Sequence, residues 1–152
     1  MSTQVMDKVT SKSSLSADQQ ARAAAFAQKE LQHASDALPT IPSYSGSGTV
    51  TYNVSFVENS DGFAQISWGV SASLGMFCIQ QNDWVGMFPN YDQALHNPKS
   101  NYLGGLHGWT WASDGSSFTT DVAPQAGMVA AYIIKNATGD YVTVAISAPF
   151  PS

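Results

Sequence analysis

Trp109 and Trp111 stand two residues apart, a spacing that sets both rings on one face of a β-strand. Near them lie Tyr91, Tyr102 and His107, with Asn90, Asp92, Asn97 and Asn101, in an irregular stretch from Pro89 to Gly108. Flat rings beside amide and carboxylate groups suit a sugar, whose C–H faces stack while its hydroxyls demand directional hydrogen-bond partners. Trp109, Trp111, Tyr102 and Tyr91 are therefore candidate stacking residues, and Asn90, Asp92, Asn101 and His107 candidate polar contacts of a glycan. The plain alternative is that the pair Trp109 and Trp111 fills the core, the role expected of Trp68 and Trp84 at regular strand positions.

Other reactive side chains point to no reaction. His33, His96 and His107 lack the close pairing with Cys or carboxylate ligands that zinc requires, so no metal is expected. Cys78 lies in the apolar run Met76-Phe77-Cys78-Ile79, where a buried, inert thiol is the expectation. The G-x-S-x-G nucleophile motif, the G-x-x-x-x-G-K-S/T phosphate loop and the G-x-G-x-x-G fingerprint are absent, and so is an EF-hand calcium loop. Asp83 and Asp92 are conceivable as an acid/base pair, but Asp83, just before a strand, is more simply a turn residue. Neither enzyme activity nor a cofactor is expected. The sequons at Asn53-Val54-Ser55 and Asn136-Ala137-Thr138 are read as chance matches, because no secretory signal is recognised.

The elements that carry these residues fall in two parts. Residues 1–15 show no apolar period and read as a tail. A helical arm then spans 16–38, opened by the capping box Ser16-x-x-Gln19 and rich in Ala, Gln, Glu, Lys and Leu. Ala17, Ala24, Leu31 and Leu38 fall seven apart and predict a shallow Ala/Leu stripe, either packed on the chain's own β-domain or used to dock a partner or a second copy. Pro39 and Pro42 end the arm, and 39–48 reads as a linker.

Beyond it the period becomes two. Val50, Tyr52, Val54 and Phe56 alternate with polar residues, and Ala64, Ile66, Trp68 and Val70 repeat the pattern after an Asn59-Ser60-Asp61-Gly62 turn. Further strands are predicted at Met76–Ile79, Trp84–Phe88, Trp109–Ala112, Phe118–Val122, Met128–Ile134 and Tyr141–Ile146. The expected fold is mainly β: an immunoglobulin-like antiparallel β-sandwich over 49–152, preceded by one helix, with a small barrel as the alternative.

The run Asp83-Trp84-Val85-Gly86-Met87-Phe88, the aromatic pair Trp109 and Trp111, and the closing Ala145-Ile146-Ser147-Ala148-Pro149-Phe150 resemble the SKICH domain across residues 49–150. Similar Asp-Trp-Ile-Gly wording occurs in the N-terminal β-sandwich of plant purple acid phosphatases. The resemblance implies an immunoglobulin-like sandwich used for protein docking, without catalytic residues of its own. The Asn/Gly/His-rich stretch between Phe88 and Trp109 departs from that pattern.

Charge narrows the partners. Charged residues make up 11% of the 152, so uncharged polar side chains must supply most of the wetted surface. Residues 1–43 balance four basic against four acidic groups, whereas 44–152 set two lysines against seven carboxylates, a net −5. Phosphate backbones need clustered Lys and Arg, so nucleic acid is not an expected partner, and anionic membrane is disfavoured. A single cysteine fits a reducing compartment. The sequence thus predicts a cytoplasmic protein, or one released without a classical signal peptide, that recognises a glycan or a protein. Protein docking or self-assembly through the arm or a strand edge is the second reading, and a membrane-active β-protein the third.

Overall fold

The structure, a computed structural model, describes residues 15–35, 50–72, 79–105 and 107–152. The predicted tail apart from Leu15, the linker at 39–48, Leu38 and Cys78 lie outside the described residues. Helix α1 (Ala17–Ser35) begins where its capping box predicts: Ser16 Oγ accepts from Gln19 N at 3.1 Å, and Gln19 Oε1 accepts from Ser16 N at 2.9 Å.

Among the described residues seven strands follow: β1 (Val50–Glu58), β2 (Ala64–Ala72), β3 (Trp84–Phe88), β4 (Trp109–Trp111), β5 (Ser117–Thr119), β6 (Val129–Lys135) and β7 (Tyr141–Ile146). They form two antiparallel sheets, ordered β1-β2-β5 and β4-β3-β6-β7, in a sandwich. The β1–β2 hairpin closes on Asn59, whose side-chain oxygen accepts from Asp61 N and Phe63 N, while Gly62 supplies the positive φ of 87°. Of the strand predicted at Met76–Ile79, residues 76–78 lie outside the described set, and Ile79 is buried but not in a strand.

The four-stranded sheet is covered on both faces, as the reading of the arm as packed on its own β-domain requires. All five residues of β3 are buried. Alternation divides them: Val85 and Met87 join Ile66, Trp68, Ala130 and Tyr132 between the sheets, whereas Trp84 and Phe88 join Trp109, Trp111, Ala131 and Ile133 on the outer face. A strand sandwiched on both sides reads as an unbroken apolar run, which is how Trp-Val-Gly-Met-Phe reads. Phe26 of α1 belongs to the outer cluster, so the helix forms a third layer.

The stretch from Pro89 to Gly108, expected to be irregular, holds two short helices, α2 (Tyr91–Leu95) and α3 (Pro98–Asn101). Asn90 caps the first by accepting from Gln93 N at 2.9 Å, and Pro98 opens the second, where its missing N–H costs nothing.

Candidate functional site

The outer face of the four-stranded sheet is a trough of aromatic rings. Register builds it: Trp84 on β3 lies between Trp111 of β4 and Ile133 of β6, and one pair along, Gly86 lies between Trp109 and Ala131. Gly86 leaves room for the rings: a β-carbon there would stand 3.0 Å from Trp109 Cβ and 3.2 Å from the Trp84 ring, so both tryptophans would have to give by a few tenths of an ångström. Tyr102 and Tyr141 complete the walls, with Trp84 edge-on to Tyr102 and Trp109 edge-on to Trp111.

Helix α1 fills this trough. Phe26, fully buried, stacks on Trp109 with ring centres 4.6 Å apart and contacts Trp84 at 4.8 Å, Trp111 at 5.9 Å and Tyr141 at 5.2 Å. Around this single large apolar anchor the inner face of α1 is polar. Gln19 donates to Asn101 Oδ1 at 2.9 Å, and Arg22 to the Tyr102 and Gly104 carbonyls at 2.6 and 3.0 Å. Lys29 Nζ donates to the Trp109 carbonyl at 3.0 Å and sits 3.8 Å from the centre of its ring. Glu30 accepts from Lys135 and the Tyr141 hydroxyl, and His33 stacks on Trp111 at 4.1 Å while donating from Nε2 to the Gln81 carbonyl. In return Tyr102 Oη donates to the Arg22 carbonyl at 2.7 Å.

This inverts the usual amphipathic helix, whose charges face water. Arg22, Lys29 and Glu30 turn toward the body, whereas Ala17, Ala24 and Leu31 are exposed, Leu31 at 71%. The predicted Ala/Leu stripe is therefore not the packing face within the described residues. The residues that dock, Gln19, Arg22, Phe26, Lys29, Glu30 and His33, recur at helical spacing but are polar except for one. The signal that could have found them was the lone aromatic of the first 43 residues, Phe26.

The open stacking platform expected of Trp109, Trp111 and Tyr102 is corrected by this layer. Their exposures are 1%, 5% and 3%, because α1 occupies the volume in front of their rings. Tyr91 is exposed, on α2. Asn90 is spent on the α2 cap, and Asn101 is shared between Gln19 and the His96 carbonyl. Asp92 and His107 are exposed, with Asp92 Oδ1 3.3 Å from His96 Nδ1. The eight residues therefore divide into three buried rings, Trp109, Trp111 and Tyr102, and five peripheral residues, Tyr91 among them, rather than converging on one open face.

Electrostatics follow burial. Desolvation lowers the Lys29 pKa, with Asp114 and Asp121 opposing, and desolvation raises that of Tyr102 against the pull of Arg22. For Glu30 burial acts upward, but the Tyr141 and Lys135 hydrogen bonds prevail and hold the carboxyl below its ordinary value. A cleft of about 420 Å³ runs along the seam, lined by Asp18, Arg22, Lys29, Tyr102, Gly104 and Trp109. Beneath α1, the Trp84 indole N–H has no hydrogen-bond partner among the described residues, which costs about 1–3 kcal/mol.

Asp83 belongs to the other side of the sheet. It is sealed from solvent, and its Oδ2 accepts from Tyr132 Oη at 2.7 Å and from Gln80 N at 3.0 Å. Burial pushes its carboxyl up to about 6 despite those two bonds, and it holds a turn and a core tyrosine. Among the described residues no three His, Cys, Asp or Glu side chains gather where they could hold a metal ion, and no helix is long and apolar enough to cross a membrane. Comparison with protein-family models, with curated proteins and with solved structures finds no match.

Proposed function

We propose that this protein is a non-catalytic interaction module whose sandwich presents an aromatic trough for a helix with one aromatic anchor and a polar docking face. The observation that carries this reading is the way α1 sits: one aromatic anchor in a box of rings, flanked by side chains that each meet a specific body atom. That is the chemistry of helix-in-groove recognition, in which anchors at helical spacing supply affinity and polar neighbours supply register. The ligand pattern is Arg, Phe, Lys, Glu and His at positions 22, 26, 29, 30 and 33. The resemblance to the SKICH domain, which implies protein docking on an immunoglobulin-like sandwich, agrees with it.

The glycan reading is the weaker one, because every ring it needs except Tyr91 is covered by α1. A sugar could stack on Trp109 or Trp111 only after displacing the helix.

Binding in trans tests the proposal. A labelled peptide of residues 15–35, titrated into the full chain carrying Phe26→Ala, is expected to bind saturably, and a peptide with the same substitution at least tenfold more weakly. Equal binding of both peptides, or none by either, would sink the helix-receiving reading.

A further inference from the structure

We infer that the trough also takes α1 from a second copy of this chain, so that two molecules exchange arms. The inference rests on the helix-receiving reading above and names its occupant. Helix α1 is the one ligand whose fit is displayed atom by atom, and the partners of its inner face named above lie beyond residue 80. None of those contacts involves the connecting segment, so they are identical whether the arm comes from the same chain or from another.

Reach permits both routes. The segment 36–49 contains Pro39, Pro42, Gly46 and Gly48, and its 14 residues span up to about 50 Å when extended, more than the roughly 28 Å length of a 19-residue helix. Release is the step that decides. Helix α1 commits one large apolar side chain, Phe26; beside it His33 and Lys29 lie against the Trp111 and Trp109 rings, and its remaining described contacts are hydrogen bonds and the Glu30–Lys135 ion pair, for which water competes. The seam holds an open cleft, and an unmet indole donor lies beneath it.

Once α1 lifts away, Trp84, Trp109, Trp111, Tyr102 and Tyr141 are left facing solvent, an apolar patch of the kind that associates. The arm of a neighbouring molecule fits that patch by construction. Exchange of this type is reciprocal and closes as a twofold dimer. The chain's own arm competes at an effective concentration in the millimolar range, so closed monomers dominate dilute solution and exchange appears on concentration.

Two single-cysteine proteins made in a Cys78→Ser background test it. One carries Gln19→Cys and the other Asn101→Cys, at positions whose side chains meet at 2.9 Å. They are mixed, concentrated, and treated with a short bis-maleimide crosslinker. Arm exchange predicts a 19–101 heterodimer whose yield rises at least several-fold with concentration, and little product when Leu31→Cys, on the outward face, replaces Gln19→Cys. Absence of the heterodimer, while a chain carrying both cysteines crosslinks internally, would overturn exchange and leave the trough reading intact. Failure of that doubly substituted chain to crosslink at all would overturn both. Should either variant misfold, Glu30→Cys with Lys135→Cys reads the same exchange further along the helix.

Discussion

The two faces of the four-stranded sheet are buried by different means. Toward the three-stranded sheet, Ile66, Trp68, Val85, Met87, Ala130 and Tyr132 interlock around one polar pair, Asp83 with Tyr132. Toward α1, rings close over a single inserted phenylalanine, and a belt of charged and amide side chains sets the helix in place. The first face has the chemistry of a domain core, where burial of apolar area dominates. The second has the chemistry of an interface, with an aromatic anchor at the centre and a polar rim. The same strands therefore carry an apolar-packed layer on one side and a ring-anchored, polar-rimmed layer on the other.

The contrast breaks most visibly at the inner face. Ile66 is fully buried, and Ile66→Ala is expected to cost about 2–5 kcal/mol of global stability through lost transfer energy and a residual cavity. Urea unfolding followed by circular dichroism should show one shifted transition in which both sheets melt together. A shift under about 1 kcal/mol would mean that the sheets do not share a tight core.

Asp83 sharpens the comparison through pH. Its folded pKa, about 6, lies above the ordinary 3.8, so the folded state binds the proton more tightly. Its contribution to stability is fully present below about pH 3.8 and is lost as pH rises through 6. The loss amounts to on the order of 3 kcal/mol. Asp83→Asn, which cannot ionise, should flatten the decline in unfolding free energy between about pH 4 and 7. An unchanged slope would show that the carboxyl is not held in the core as described.

Much of the inner face was legible in sequence. The alternation of Val50, Tyr52, Val54 and Phe56 with polar residues follows directly from the pleat, and Asn59-Ser60-Asp61-Gly62 announced its turn. The spacing of Trp109 and Trp111 likewise placed both rings on one face. What covers that face was not legible, because the cover comes from a distant helix whose docking residues are mostly polar. A hydropathy period finds apolar stripes, and it settled on Ala17, Ala24 and Leu31, which are exposed. Arg22, Lys29 and Glu30 carry no docking signal in sequence until their partners, three backbone carbonyl groups and a tyrosine hydroxyl among them, are known.

The smallest global effect and the most local one are expected at Phe26. Amide hydrogen exchange, read residue by residue in the full chain and in its Phe26→Ala variant, tests directly whether the outer layer is docked rather than fused to the core. Loss of protection confined to α1 and to the strand Trp109–Trp111, with β1, β2 and β6 unchanged, is the predicted result. Uniform loss across both sheets, or no loss in α1, would contradict it.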